Sequence, residues 1–306
     1  MDFSALIIKM VIFLVLLATG YFMARKKILT PEFTKSASAL IIDVFIVASI
    51  INSVLGNRPE LSAKNFGIAF AMLTLAIVLT YLIAKIASFA LKKEGNTAHF
   101  EMVTSITNTL FVGMPIVSSV CGSEATFYVG MSCIPYNLIL YTYGVWRLSS
   151  GKGEGKVKIK DVLSVCLIAA VVSLVIFIVN PPVPKVITEL FSCVSAATVP
   201  MSMIVIGASL GPINPAQAFK EKINYIISFV RLIITPLITF FLVRLFTDNQ
   251  VLILTCTVIA GCPVGSIATP ISIQYGYEAT YSSKAIMVST ILGMFTLPIL
   301  IKVLFA

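Results

Sequence analysis

Residues 105–117 read SITNTLFVGMPIV, and residues 260–271 read AGCPVGSIATPI. Each stretch lies in a long apolar run and carries glycine and proline, which weaken helical hydrogen bonding and lower the cost of unwinding. In hydrocarbon the freed amides and carbonyls need partners, so breaks of this kind occur mainly inside protein or beside a watery cavity. Two broken helices, one in each half of a membrane chain, are typical of a secondary transporter.

The two halves resemble each other around these breaks. The first break is followed by GSEATF at residues 122–127 and the second by GYEATY at residues 276–281, and Leu55-Gly56 recurs as Leu210-Gly211. Self-similarity of this kind predicts an internal repeat. We therefore predict two domains, 1–150 and 151–306, joined through the glycine-rich stretch at 149–156.

Composition places the chain in lipid. Of its 306 residues, 58% are hydrophobic and only 11% are charged, whereas a soluble domain carries roughly a quarter charged residues. The cysteines lie in or beside apolar runs without a CxxC pair, so neither a disulfide framework nor a metal site is predicted. No cofactor is expected.

Apolar runs long enough to span a bilayer predict ten transmembrane helices. The predicted spans are 4–24, 36–56, 65–91, 98–121, 126–146, 161–179, 186–210, 224–246, 251–274 and 283–305. If both termini lie outside, most basic residues fall in cytoplasmic loops or at helix ends, and only Arg58, Lys64 and Lys185 lie in external loops. The positive-inside rule favours this orientation in a plasma membrane. The net charge of +9 then reflects topology and not a nucleic-acid partner.

Five spans per half is an odd number, so the second half enters the membrane from the opposite face. The predicted fold is therefore an all-α integral membrane protein in which ten helices form two inverted five-helix repeats, and the broken fourth and ninth helices cross. Their half-helix ends would meet near the midplane, where N-terminal ends suit a carboxylate. The predicted substrate-binding residues are Asn108, Thr109, Gly113, Pro115, Asn137, Pro263, Gly265, Ser266, Thr269 and Pro270. For Asn137, packing against another helix is an equally good interpretation.

The motifs resemble those of the auxin efflux carriers and their bacterial relatives. The signature of their fourth helix is similar to Asn108-Thr109-Leu110 with Gly113-Met114-Pro115. The signature of their ninth helix is similar to Pro263-x-Gly265 leading to Pro270. Further similarities cover the seventh helix, at 199–210, the eighth, at Arg231-Leu232 and Pro236-Leu237, and the tenth, at Ser289-Thr290 and 296–298.

The resemblance implies an architecture shared with sodium–proton antiporters and bile-acid transporters, with a scaffold domain and a transport domain of the elevator type. It implies substrate at the crossing of the fourth and ninth helices, and small organic anions such as malate or malonate as cargo. The long cytoplasmic loop of many plant carriers is missing, which favours a bacterial-type permease. The second span also departs from its relatives, because it reads DVFIVAS at 43–49 where they carry proline.

Three charged residues have open interpretations. Asp43 lies several residues inside a span and is a candidate for ion coupling, or it is held by helix backbone near the cytoplasmic interface. Arg231 could offset substrate charge, but we expect it to snorkel or to pair with Asp43. His99 is expected at the interface.

We predict export of small organic anions by alternating access, since an anion leaving an inside-negative cell needs no coupling ion. The alternatives are sodium- or proton-coupled uptake of carboxylates or bile-acid-like anions, and a non-transporting sensor or channel of the same fold. An enzyme is not expected, because HExxH and GxSxG patterns are missing. The expected partners are the bilayer and the anion, with a homodimer possible.

Overall fold

The computed structural model describes residues 3–55, 63–90, 97–152 and 165–305. The helices of the first half are α1 Phe3–Arg25, α2 Pro31–Leu55, α3 Ala63–Ala90, α4 Thr97–Ser105, α5 Met114–Ile139 and α6 Val145–Lys152. Those of the second half are α7 Val165–Val179, α8 Lys185–Ala196, α9 Thr198–Leu210, α10 Pro215–Ala218, α11 Lys222–Arg244, α12 Gln250–Gly261, α13 Ala268–Gln274 and α14 Ala279–Phe305. Within these ranges the chain is all-helical, with one isolated bridge between Thr107 and Val264.

Six helical stretches of the described chain are long and apolar enough to cross a membrane: Pro31–Leu55, Lys64–Ala90, Thr109–Ser149, Lys185–Leu210, Lys222–Arg244 and Ala279–Phe305. Shorter apolar helices cover Val11–Arg25, Val165–Val179 and Gln250–Gly261. The all-helical class and the apolar helices agree with the predicted integral membrane protein. The count of ten spans and the inverted relation of the halves stay predictions.

Two glycines turn the chain at equivalent places in the two similar hexapeptides. Gly122 has φ of 70° and interrupts α5, while Gly276 has φ of 74° between α13 and α14. A side chain at such a φ brings Cβ close to the carbonyl oxygen, which glycine avoids. The stretch Thr109–Ser149 is therefore two helices joined at a sharp turn and not one long helix.

The described residues form two compact units, and each draws on both halves of the sequence. The first unit takes in the described parts of Met1–Phe70, Leu110–Ile134 and Leu163–Pro212, and the second those of Ala71–Thr109, Pro135–Val162 and Ile213–Ala306. The division into compact units thus differs from the predicted sequence halves 1–150 and 151–306, which stay a prediction about internal repetition.

In the first unit, α1 and α9 touch backbone to backbone. A Cβ built on Gly20 would lie 1.9 Å from the Ile204 carbonyl oxygen, and one on Gly207 would lie 1.9 Å from the Leu17 carbonyl oxygen. In lipid, the hydrophobic effect does not drive helices together, so their association depends on van der Waals packing. Small residues allow the close backbone approach that this packing needs.

The second span is distorted although it lacks proline. Residues Ile41–Ile46 form a π-helical turn inside α2, which leaves the Phe45 carbonyl oxygen able to accept a bond from the Thr198 hydroxyl at 3.0 Å. The Ser49 and Thr198 hydroxyls are 2.8 Å apart and both are buried. The distortion is therefore held by α9, which supplies the polar partner that the π turn needs.

We predict that Gly207→Ala lowers the free energy of unfolding by about 1–3 kcal/mol, as overpacking does, because the new methyl group overlaps the Leu17 carbonyl. Thermal unfolding of the purified protein in detergent measures this. Gly67→Ala is the matched control, since a Cβ at Gly67 meets nothing within 4 Å. Equal melting temperatures for the two variants would contradict the backbone contact.

Candidate functional site

The two sequence breaks pair with each other inside the second unit. Helix α4 ends at Ser105 and α12 ends at Gly261, and the extended residues that follow run antiparallel at Thr107 and Val264. The Asn108 amide donates to the Pro263 carbonyl at 3.0 Å, and the Gly265 amide donates to the Ile106 carbonyl at 3.0 Å. Each break thus satisfies part of the backbone that the other one frees.

The guanidinium of Arg231 binds carbonyls of both breaks. Its Nε donates to the Cys262 carbonyl at 2.7 Å, and its Nη1 to the Thr104 carbonyl at 2.8 Å and the Ser105 carbonyl at 3.4 Å. In an unbroken helix, the carbonyls of Thr104 and Ser105 would accept hydrogen bonds from the amides of residues 108 and 109. Arg231 therefore replaces the hydrogen bonds that unwinding removes and ties the two breaks together.

Two further contacts complete the pairing. The Val264 amide donates to Ser289 Oγ at 3.1 Å, and Tyr136 Oη donates to the Thr107 carbonyl at 3.4 Å. A Cβ on Gly265 would lie 2.7 Å from the Thr107 carbonyl oxygen. Glycine is thus required at 265 by the close approach of the two backbones.

The expectation that Arg231 snorkels or pairs with Asp43 is wrong. Arg231 is 0% exposed, and no carboxylate in the described part of the chain forms an ion pair with it. From sequence, a charged residue inside an apolar helix is expected to extend its side chain to the membrane surface. Arg231 instead finds buried acceptors, because the unwound backbone exposes carbonyl groups to it. The paired breaks consequently carry a buried positive charge.

Two donors at the paired breaks have no acceptor among the described residues. Arg231 Nη2 and Asn108 Nδ2 are buried and make no hydrogen bond. A buried donor without a partner costs about 1–3 kcal/mol, and more when charged. The site therefore has hydrogen-bonding capacity left for an acceptor, and an anion satisfies it best.

The structure brings together four of the predicted residues, Asn108, Thr109, Pro263 and Gly265, in the paired breaks. Asn137 is buried in the same unit, next to Tyr136. Ser266 and Thr269 are half-buried and Pro270 is exposed. The Thr269 hydroxyl bonds with Ser282 and Ser283, at 3.1 Å and 3.2 Å, so it braces α13 against α14.

Gly113 and Pro115 belong to the first unit. The break predicted within 105–117 consists of the non-helical residues 106–108, which precede Pro115. Pro115 stands in α5 just after the π turn Thr109–Gly113, and the wider turn accommodates the missing amide. Pro270 likewise lies inside α13, whereas Pro263 lies in the second break.

Pro115 lines a cavity of about 300 Å³ within the first unit. Three segments contribute its walls, from α2, α5 and the junction of α8 with α9: Ser49, Asn52, Ser53, Met114, Pro115, Ser118, Gly122, Ser123, Thr126, Ser195, Ala196, Thr198 and Val199. These described residues supply hydroxyl groups and one side-chain amide between apolar groups, and none of them is charged. Sequence reasoning missed Ser49, Asn52 and Thr198, because serine and threonine are common in membrane helices for packing alone.

His99 is enclosed by protein, while its expected position at the interface stays a prediction. It is 6% exposed, its Nε2 is 2.8 Å from Ser272 Oγ, and its ring packs 4.6 Å from Tyr277 and 4.7 Å from Tyr281. Aromatic residues at the start of α14 thus enclose the only histidine of the sequence.

Two acidic residues, Glu101 and Asp43, differ in environment. Glu101 is 0% exposed and accepts from Arg147 Nε at 2.8 Å and from Tyr143 Oη at 2.5 Å. Asp43 lies in the π turn of α2 and is exposed. The buried carboxylate of the described chain therefore lies in α4, one helical turn before the first break.

Comparison of the amino-acid sequence with known proteins identifies its family. A sequence model of the family described as membrane transport protein matches residues 5–158 and 152–301. The chain belongs to this family. The resemblance to the auxin efflux carriers is thereby confirmed, and the family is one of membrane transporters and not of enzymes.

Two archaeal relatives are similar over most of their length. An uncharacterized transporter of Methanocaldococcus jannaschii is 28% identical over 246 residues, which cover 76% of this chain and 78% of the relative. An uncharacterized transporter of Methanothermobacter thermautotrophicus is 23% identical over 291 residues, 94% of each chain. The names of both relatives specify transport but no substrate.

We predict that Arg231→Lys lowers the free energy of unfolding by about 2–4 kcal/mol. Lysine keeps the charge but has no planar fork to reach carbonyls of both breaks, and each hydrogen bond from a charged donor contributes about 1.5–3 kcal/mol. Thermal unfolding in detergent measures the change. Arg244→Lys is the control, because Arg244 lies at the exposed end of α11, over the Phe240 ring. A similar small loss in both variants would show that Arg231 does not brace the breaks.

Proposed function

We propose that this membrane transporter exports small organic anions, carboxylates in particular, by alternating access, and binds them at the paired breaks. The observation that supports this most directly is Arg231, a fully buried guanidinium without a carboxylate partner among the described residues. A buried charge is expensive unless it is compensated. An anionic substrate would compensate it, whereas a cation would add to the cost.

The chemistry of the free donors favours a carboxylate. Arg231 Nη2 and Asn108 Nδ2 both lack acceptors in the described ranges of the chain, and a carboxylate carries two oxygens that accept such bonds. The helical segment that starts at Thr109 adds amide groups and the positive end of its dipole. Together these features recognise the carboxylate group and leave the rest of the substrate to other walls.

Export agrees with the energetics of the membrane potential. Moving one charge is worth about 2.3 kcal/mol per 100 mV, so a dianion leaving an inside-negative cell gains roughly twice that, about three powers of ten in gradient. Efflux of an anion therefore needs no coupling ion.

Proton-coupled uptake is the alternative with a specific observation in its favour. Glu101 is a buried carboxylate one turn before the break, and Asp43 stays the second candidate for ion coupling. If transport requires a pH gradient, the variants Asp43→Asn and Glu101→Gln distinguish the two residues. Only substitution of the carboxylate that couples transport to protons would abolish the requirement for the gradient.

The proposed function is tested by the current across proteoliposomes on addition of mono- and dicarboxylates, with and without sodium and a pH gradient. We expect a saturable current that is independent of both ions and shows counter-transport, as a carrier does. A current that needs either ion would support coupled uptake. Binding without flux would support a sensor, flux without saturation would support a channel, and no carboxylate response from folded protein would refute the proposal.

We predict that Asn108→Ala raises the half-saturating carboxylate concentration about tenfold or more, since a hydrogen bond to a charged group contributes about 1.5–3 kcal/mol. Its melting temperature should stay near that of the wild type, because Nδ2 has no partner and the backbone bond to Pro263 remains. Asn224→Ala is the control: its Nδ2 donates to the Ala218 carbonyl at 2.8 Å, so this variant should lose stability and keep its affinity. An unchanged affinity in Asn108→Ala would remove Asn108 from the binding site.

A further inference from the structure

A second cavity, of about 780 Å³, lies in the first unit where α1 ends and α2 begins. Arg25, Lys27 and Lys35 line it together with Glu32, and the end of α9 contributes Ser209. Both α1 and α2 are apolar helices, so the cavity lies at the level where they leave the hydrocarbon. If both termini are outside, as the distribution of basic residues predicts, this level faces the cytoplasm.

Lys27 occupies a backbone position that normally belongs to glycine. Its amide donates to the Ala24 carbonyl at 2.9 Å, and the Ile28 amide donates to the Met23 carbonyl at 2.9 Å, which is the Schellman pattern that ends a helix. In this pattern the residue at 27 is left-handed, and Lys27 has φ of 60°. A lysine there costs conformational energy that glycine would avoid. The observed outlier points to a role for the lysine side chain.

The charges around the cavity do not cancel. Three cationic side chains face one carboxylate, and among the described residues Arg25, Lys27 and Lys35 form no ion pair. The start of α2, capped by the Thr30 hydroxyl, adds the positive end of a long helix. The cavity therefore has an excess of positive charge and suits a phosphate group.

The surroundings of the cavity favour a lipid phosphate over a soluble one. Phe22, Ile28 and Phe33, in and beside the same turn, are 61%, 60% and 43% exposed. Apolar side chains beside cationic ones at the membrane surface match the boundary between acyl chain and headgroup. We propose that this cavity binds the phosphate headgroup of an anionic phospholipid, which the cytoplasmic leaflet supplies.

The test uses the purified full chain in detergent and native mass spectrometry, with dioctanoyl phosphatidylglycerol as the probe. Dioctanoyl phosphatidylcholine and inorganic phosphate are the comparison ligands. We expect saturable binding of phosphatidylglycerol, much weaker binding of phosphatidylcholine and no displacement by millimolar phosphate. Lys27→Gly should weaken phosphatidylglycerol binding about fivefold, the effect of one basic residue near the surface, without lowering the melting temperature, because glycine suits the left-handed position. Lys35→Gln should weaken it similarly.

Lys26→Gln is the matched control. Lys26 is the sequence neighbour of Lys27 and is exposed, but it does not line the cavity, so its loss should leave binding unchanged. Equal weakening by Lys26→Gln and Lys27→Gly would show diffuse surface attraction and overturn the proposal. Equal affinity for phosphatidylcholine would overturn it as well, and displacement by phosphate would assign the cavity to a soluble anion. None of these readouts depends on the transported substrate.

Discussion

The second unit depends on the satisfaction of backbone groups that two helix breaks set free. In water such groups would bind solvent, but at the depth of a membrane helix they must find protein partners. Here the breaks use each other, through the pairing of Thr107 with Val264, and they use Arg231 for the carbonyls that remain. A guanidinium suits this task because it carries five donors in a plane, so one side chain reaches carbonyls from two separate helices.

That solution has an electrostatic consequence. A neutral donor would satisfy the carbonyls without adding charge, whereas Arg231 brings a full positive charge into the interior of the unit. Carbonyl dipoles stabilise it in part, and two donors, Arg231 Nη2 and Asn108 Nδ2, find no acceptor within the part of the chain that the structure describes. The same residue thus serves the fold and, under the proposed function, attracts the anionic substrate, so that function would link the stability of the unit to its selectivity.

The two helix breaks were predicted from the sequence, but the contacts that stabilise them were not. Glycine and proline act through the local backbone, so Pro263 and Gly265 mark the second break directly. Asn108 was identified from its place beside glycine and proline, and the structure does put it in the pairing. Arg231 was misjudged because its partners are distant in sequence, and a charged residue in an apolar run looks the same in sequence whether it reaches the surface or a buried carbonyl. Pro115 does not itself mark the first break, because it lies just after the π turn that follows the break.

The turns at Gly122 and Gly276 give the similarity between the halves a stereochemical meaning. Both residues have left-handed backbone, with φ of 70° and 74°, and each opens one of the two related hexapeptides. Glycine adopts this backbone without the steric cost that a side chain adds. The two glycines therefore provide a matching pair of points from which one half of this sequence can be aligned with the other.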